Sequence, residues 1–254
     1  AVLNLIFWPA ISTQSQVAAT TLSYLKSQQA EAWVTMALSA MGEINLNLDY
    51  LKEVSGTQAT DYEKTILALV AAKANPHTFG NIDYVAKLKS FYSSSQIGQE
   101  NLLNDDIWGI IALSAAGEEK NSTEINGAKN FLLTNQNQDG GWGYGVGTAS
   151  DTNDTASAIM ALLETNINKE DAVIVKAINY LKSQQNDDGG FPYISGSESD
   201  SGSDAWIISA IYKLEQNPLS WTKNNKNPIE HLKSLETSSG AFKWIASDPT
   251  TYTA

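Results

Sequence analysis

The sequence predicts an all-α chain whose helices pair into a closed, two-layered ring. Three observations predict it. The phrase Gln136-Asn137-Gln138-Asp139-Gly140-Gly141-Trp142 returns as Gln185-Asn186-Asp187-Asp188-Gly189-Gly190-Phe191, and two such phrases mark a repeat that sets the architecture. The helical segment before each phrase carries Lys, and the one after it is more apolar, so one helix of a pair faces water and the other a core. Strand signals are nearly absent: Val173-Ile174-Val175 is β-branched but lies inside a helical pattern.

In chain order, Ala1 to Pro9 is an apolar segment apart from the rest. Val17, Leu22 and Leu25 recur at helical spacing and place a helix over 11–29, with Ser12 or Thr13 as cap. A second helix spans 31–41, closed by Gly42. A short third is expected over 45–54, and a fourth over 61–73, stopped before Pro76. Pairs follow at 82–92 with 105–116, 127–135 with 154–164, and 172–184 with 204–214. A sixth pair opens at 228–236, with Pro228 in a first helical turn. The first helices share an anchoring leucine: Leu25, Leu51, Leu88, Leu132, Leu181 and Leu232. The leucine spacing grows from 26 residues at the first interval to 51 at the last as the hinges lengthen. Helix pairs joined by short turns stack on their neighbours, and the first pair lacks the polar character of a solenoid cap. We therefore expect one closed barrel over 11–254, preceded by the segment 1–10.

Composition narrows the function. All 16 basic residues are Lys, against 28 acids, for a net charge of −12. That balance argues against nucleic acid, whose binding rests on cationic side chains, and favours basic or cationic partners. No apolar run approaches the roughly 18 residues of a membrane helix. There is no Cys, which removes disulfides, thiolate metal sites and thiol nucleophiles together. With the abundance of Asn, Ser, Thr and Gln, this fits an extracellular or cell-wall protein. The start at Ala1, without Met or a basic leader, suggests a mature fragment or an excised piece of a larger multidomain protein.

Leu132, Gln136, Gly140 and Trp142 stand at the spacing of the QW repeat, and the chain here resembles squalene and oxidosqualene cyclases. Leu181, Gln185, Gly189 and Phe191 repeat the pattern with Phe for Trp, and Leu232, Glu236, Gly240 and Phe242 repeat it more weakly. The wider group includes prenyltransferase β subunits, complement thioester domains and cobalamin carriers. The resemblance implies their α/α toroid, an α6/α6 barrel, far more firmly than any activity. It also implies that Gln136 and Gln185 bond the start of the following inner helix, with Trp142 and Phe191 packed over the hinge.

Asp151-Thr152-Asn153-Asp154-Thr155-Ala156 resembles the cyclase motif Asp-x-Asp-Asp-Thr-Ala, whose middle Asp is the proton donor. Here that position is Asn153, and an amide cannot supply the proton. Helix capping by Asp151 or Thr152 is the simpler role. Asp151 or Asp154 would act as acid only if the chain is a cyclase-like enzyme. A prenyltransferase zinc site lacks its Cys, and the two histidines, His77 and His231, lie off the helix starts. A thioester also requires Cys. A corrinoid-binding role shares the toroid, but no residue singles it out.

Glu31, Asp61, Asp106, Asp154 and Asp204 each open an apolar helix, and Trp33, Trp108 and Trp206 each follow an acid by two residues. In a toroid these starts gather at one mouth. The five acids, with Trp108, Trp142, Tyr144, Tyr193 and Trp206, would there suit a small molecule, a sugar, a basic peptide or a cation. Independent helix-start charges over core aromatics are the plainer alternative. The Ser- and Asp-rich loop 197–204 offers oxygen donors to Ca²⁺ but lacks the spacing of a calcium loop, so a solvated loop is expected and no cofactor is assigned. The reading is a non-catalytic binding or scaffolding module. The seam is its least regular part. Thr251-Tyr252-Thr253-Ala254 aligns with the opening of a sixth inner helix, and Val2, Leu3, Leu5, Ile6 and Phe7 are expected to fill the vacancy.

Overall fold

The computed structural model describes residues 16–54, 56–248 and 251–252. The N-terminal segment and the filling of the seam lie outside them. Inner helices are α2 (Ala32–Ala40), α3 (Ala59–Ala71), α5 (Leu103–Ala115), α7 (Thr152–Leu163) and α9 (Ser201–Lys213). Outer helices are α1 (Gln16–Ser27), α4 (Tyr84–Lys89), α6 (Thr123–Thr134), α8 (Ala172–Gln184) and α10 (Pro228–Ser234). The inner helices pack side by side from α2 through α3, α5 and α7 to α9, with the outer helices against their backs. Two short hairpins, β1 (Tyr92–Ser93) with β2 (Gln96–Ile97) and β3 (Phe242–Lys243) with β4 (Thr251–Tyr252), belong to hinges.

The inner helices own the core. Ile66, Ile107, Ile110, Ile159, Ile207 and Ile211 are fully buried, and Leu88, Leu132 and Leu181 reach them from the outer layer. Leu232 is only half-buried, and Leu235, the C-cap of α10, takes the buried place. The helix expected at 45–54 is a single 3₁₀ turn, Asp49–Leu51. Asn45 upstream of it adopts φ 57°, a left-handed conformation that does not belong in a helix. The helix expected at 82–92 ends early, at Lys89, and β1 follows from Tyr92. Val173-Ile174-Val175 is helical, within α8.

The two hinges repeat atom for atom. Asn137 Nδ2 donates to the Thr148 carbonyl and to Ser150 Oγ, both at 3.0 Å, and Asn186 Nδ2 does the same to Ser197 and Ser199. Trp142 accepts from the amide of Asp151 at 2.9 Å, and Phe191 from that of Asp200 at 3.0 Å. The pairing of Phe242 with Tyr252 occupies the same place at the seam. Gln136 Nε2 donates to Gly140 and Val173 carbonyls at 2.8 Å, and Gln185 Nε2 to Gly189 and Trp221 at 2.9 Å. These partners correct the expectation of an inner-helix bond. Val173 is in the next outer helix and Trp221 precedes α10, because a side chain at the end of an outer helix reaches along the outer wall. The aromatic turns inward beneath it: Trp142 and Phe191 are both 0% exposed.

Each hinge glycine touches the backbone of the next outer helix or of the residues that open it. A Cβ on Gly140 would lie 2.7 Å from the Lys176 carbonyl oxygen, and one on Gly189 2.6 Å from the Lys226 carbonyl carbon. Gly240 does the same across the seam, where a Cβ would lie 2.6 Å from the Thr20 backbone. Thr21 Oγ1 also donates to Glu236 Oε1 at 3.1 Å. The sixth repeat therefore meets the first, and the outer ring closes. Gly240 has φ +87°, so Gly240→Ala meets both left-handed strain and a backbone clash. The expected loss is about 1–3 kcal/mol, with faster amide exchange in α1. Unchanged melting and exchange would show the contact to be idle.

Candidate functional site

The inner-helix starts converge at one mouth, but most of the acids there face inward. Glu31 caps α2 from an exposed position, with Oε1 accepting from the Val34 amide at 2.7 Å. Asp61 completes a capping box on α3 and lies 3.5 Å from Lys64 Nζ. Asp106 and Asp204 are 0% exposed. Their Oδ1 atoms accept the amides of Ile97 at 2.8 Å and Phe191 at 2.9 Å. Thr155 Oγ1 does the same for Trp142 at 2.9 Å. The structurally equivalent positions are thus Asp106, Thr155 and Asp204. Asp154 stands one residue before its expected place, because Asp151 and Asp200, not Asp154 and Asp204, begin their helices as N-caps.

Asp151 Oδ1 accepts the Asp154 amide at 2.8 Å, the capping role expected of it. Burial, and then the hydrogen bond and charge of Asp151, push the Asp154 carboxyl up to about 8. Burial likewise pushes Asp106 up to about 8, against the opposing pull of the Ile97 amide. Asp204 is raised by burial to about 6, although His231 Nδ1 lies 2.6 Å from its Oδ2. Burial alone would lower His231, but the bond to Asp204 and the charges of Asp188 and Asp200 outweigh it and raise it. The loop 197–204 is not solvated throughout: Ser199, Asp200, Ser203 and Asp204 are buried, Asp200 caps α9, Asp204 meets His231, and Glu198 accepts from Ser247.

The aromatics divide. Trp142 is removed from the mouth into the core, with Nε1 donating to the Leu132 carbonyl at 2.9 Å. Tyr144 and Tyr193 are exposed on the rim. Their carbonyls accept the first amides of α5 and α7, from Leu103 and Thr152, both at 3.1 Å. Trp33, Trp108 and Trp206 meet edge to face across the ring, with centroids 5.8, 5.8 and 5.2 Å apart. They come from α2, α5 and α9, which are not neighbours along the inner ring, so the cluster spans the bore near the mouth, with Trp33 40% exposed. Trp33 is the second residue of its helix, whereas Trp108 and Trp206 are the sixth of theirs. The corresponding position in α7 is Ser157, a small residue.

Glu63 is the site residue that sequence reasoning missed. It is 1% exposed on α3, and neither carboxyl oxygen has a hydrogen-bond partner. Burial first, then the charges of Asp105, Asp106 and Asp61, raise it well above the ordinary carboxylate range. The available signal was an acid four residues before Leu67, on an otherwise apolar stripe with Ile66. Glu63 and Leu67 line a cavity of about 180 Å³ with Trp33, Thr60, Lys64, Asn104 and Trp108.

The profile of the squalene-hopene cyclase C-terminal domain family matches residues 109–209. Protein geranylgeranyltransferase-I of Candida albicans, complexed with GGPP, superposes with a TM-score of 0.57 at 15% identity, over 98% of this chain and 85% of that one. A type II terpene cyclase from Scytonema, in its apo form, gives 0.54 at 12% identity over 92% and 72%. The chain carries the α/α toroid fold of the terpenoid cyclase and prenyltransferase superfamily. The toroid spans 45% of the ent-copalyl diphosphate synthase of Streptomyces platensis, where 92% of this chain aligns at 15% identity with a TM-score of 0.53. No curated protein matches the sequence. The toroid's donors do not fit a prenyltransferase zinc site. His231 is committed to Asp204, with Nε2 3.5 Å from Asp188, and no group of three metal donors occurs among the described residues. No helix among the described residues is long and apolar enough to cross a membrane.

Proposed function

We propose that this toroid, one domain over 11–254, is a non-catalytic binding or scaffolding module of a larger extracellular or cell-surface protein. The observation that carries the reading is the cluster of Trp33, Trp108 and Trp206 across the bore. Cyclisation of an isoprenoid needs an open apolar chamber that can enclose it, and a bore spanned near its mouth leaves only shallow binding there. Asn153 at the position of the proton donor supports the same reading, as do the absence of Cys and the acidic, amide-rich composition.

One observation favours a class II cyclase-like enzyme: Asp154 holds its proton to about pH 8 and could donate it. It is nonetheless 8% exposed and bonded to the cap residue Asp151. Incubation with squalene or geranylgeranyl diphosphate, followed by mass spectrometry, separates the two. We expect no product. Turnover abolished by Asp154→Ala would overturn the non-catalytic reading.

A further inference from the structure

We propose that the cavity between α2, α3 and α5 binds an alkylammonium group, with Glu63 as its counter-ion and Trp33 and Trp108 as its aromatic walls. This deepens the binding-module reading and rests on it. Glu63 supplies the first argument. A carboxyl that is 1% exposed with both oxygens unpartnered is costly to the fold, and a ligand donor entering from the mouth would supply the missing bonds. Asp106 Oδ2 on α5 is likewise buried and unpartnered.

The second argument is charge. Asp61 on α3 and Asp105 and Asp106 on α5 lie close enough to act on Glu63 by their charge, Asp106 only where it ionises, above about pH 8. The nearest cation, Lys64 at the rim, lies 3.5 Å from Asp61. The field therefore attracts a cation and repels an anion. The walls decide its kind. Trp33, Trp108 and Leu67 are apolar or aromatic, and indole faces attract ammonium groups. Thr60, Lys64 and Asn104 also line it, but the surface it presents is mostly apolar, which favours an alkylammonium group over a sugar. At about 180 Å³ the cavity is smaller than the roughly 300–1,000 Å³ of a drug-sized ligand. It suits the end of a slim chain, either a lysine side chain presented by another protein or a free primary amine.

The test titrates the whole chain with n-butylammonium, n-butanol and butyrate, following tryptophan fluorescence and heat. Saturable binding is expected for the ammonium alone. A lysine tripeptide blocked at both ends separates the two sources: tighter binding than butylammonium points to a protein lysine, weaker to a free amine. Glu63 must lose its proton to pair with the ligand, so affinity should rise with pH by up to tenfold per unit until Glu63 ionises unaided. Glu63→Gln, isosteric but uncharged, should weaken binding at least tenfold. Trp33→Ala, at a half-exposed position, should weaken it roughly three- to thirtyfold. Circular dichroism checks that both variants fold. Equal responses to butylammonium and butanol would reduce the site to an apolar hole and overturn the proposal. So would binding unchanged by Glu63→Gln, or binding that appears only in Lys64→Gln, which would make Lys64 the occupant. None of these failures touches the non-catalytic reading, which the turnover assay tests separately.

Discussion

Trp142→Ala is expected to cost the fold about 3–5 kcal/mol, the range for emptying a buried aromatic site. Trp142 is 0% exposed and lies under a hinge that joins α6, α7 and α8. Its backbone exchanges bonds with Thr155, its indole N–H holds the end of α6 through Leu132, and Gln136 ties the same hinge to α8. Losing the indole adds about 1 kcal/mol or less, because the Leu132 carbonyl keeps its bond from the Asn135 amide at 3.1 Å. For a chain of this size the melting temperature should fall by roughly 10 °C or more. Trp142→Phe should cost much less, since the equivalent hinge is built on Phe191 with Trp221 beside it, centroids 6.4 Å apart. A melting temperature unchanged in Trp142→Ala would mean that the hinge does not hold the repeats together.

The chain should be markedly more stable at pH 5 than at pH 8. Asp106 and Asp154 keep their protons to about pH 8 in the fold, and Glu63 is raised as well. In the unfolded chain such carboxyls titrate near pH 4. Between these limits the folded state binds more protons, so stability falls as pH rises and levels off above about 8. His231 acts in the same direction. Its folded pKa is raised, so its contribution is complete below the unfolded value near 6.5 and lost as pH climbs through the folded one. One pKa unit is about 1.4 kcal/mol, so a carboxyl moved from 3.8 to about 8 costs the fold several kcal/mol at pH 8. Asp154→Asn keeps a donor to Asp151 and removes the ionisation. We expect it to raise the melting temperature at pH 8 by about 10 °C, and at pH 5 by roughly a third as much, because the unfolded carboxyl is already mostly ionised there. A wild-type chain that melts higher at pH 8 than at pH 5 would contradict this account.

The amino-acid sequence by itself determined the repeat, the alternation of inner and outer helices and the toroid class of the fold. The Leu-Gln-Gly-Trp spacing and the apolar stripes are properties of neighbours along the chain, and the helices followed them to within a few residues at 152–163, 172–184 and 201–213. The close contact of Gly240 with α1 was foreshadowed in the same way, since a ring must bring its first and sixth repeats together. Tertiary structure alone decided what stands at the mouth. The column of acids misplaced Asp154 by one residue, because which carboxyl meets a hinge amide depends on where the N-cap falls. Trp142 went to the core, while Trp33, from a different turn of its helix, met Trp108 and Trp206 across the bore. Glu63 gave no signal beyond an acid on an apolar stripe. Its burial and its unpartnered oxygens arise only when α3 is pressed against α5, three-dimensional contacts that no spacing along the chain encodes.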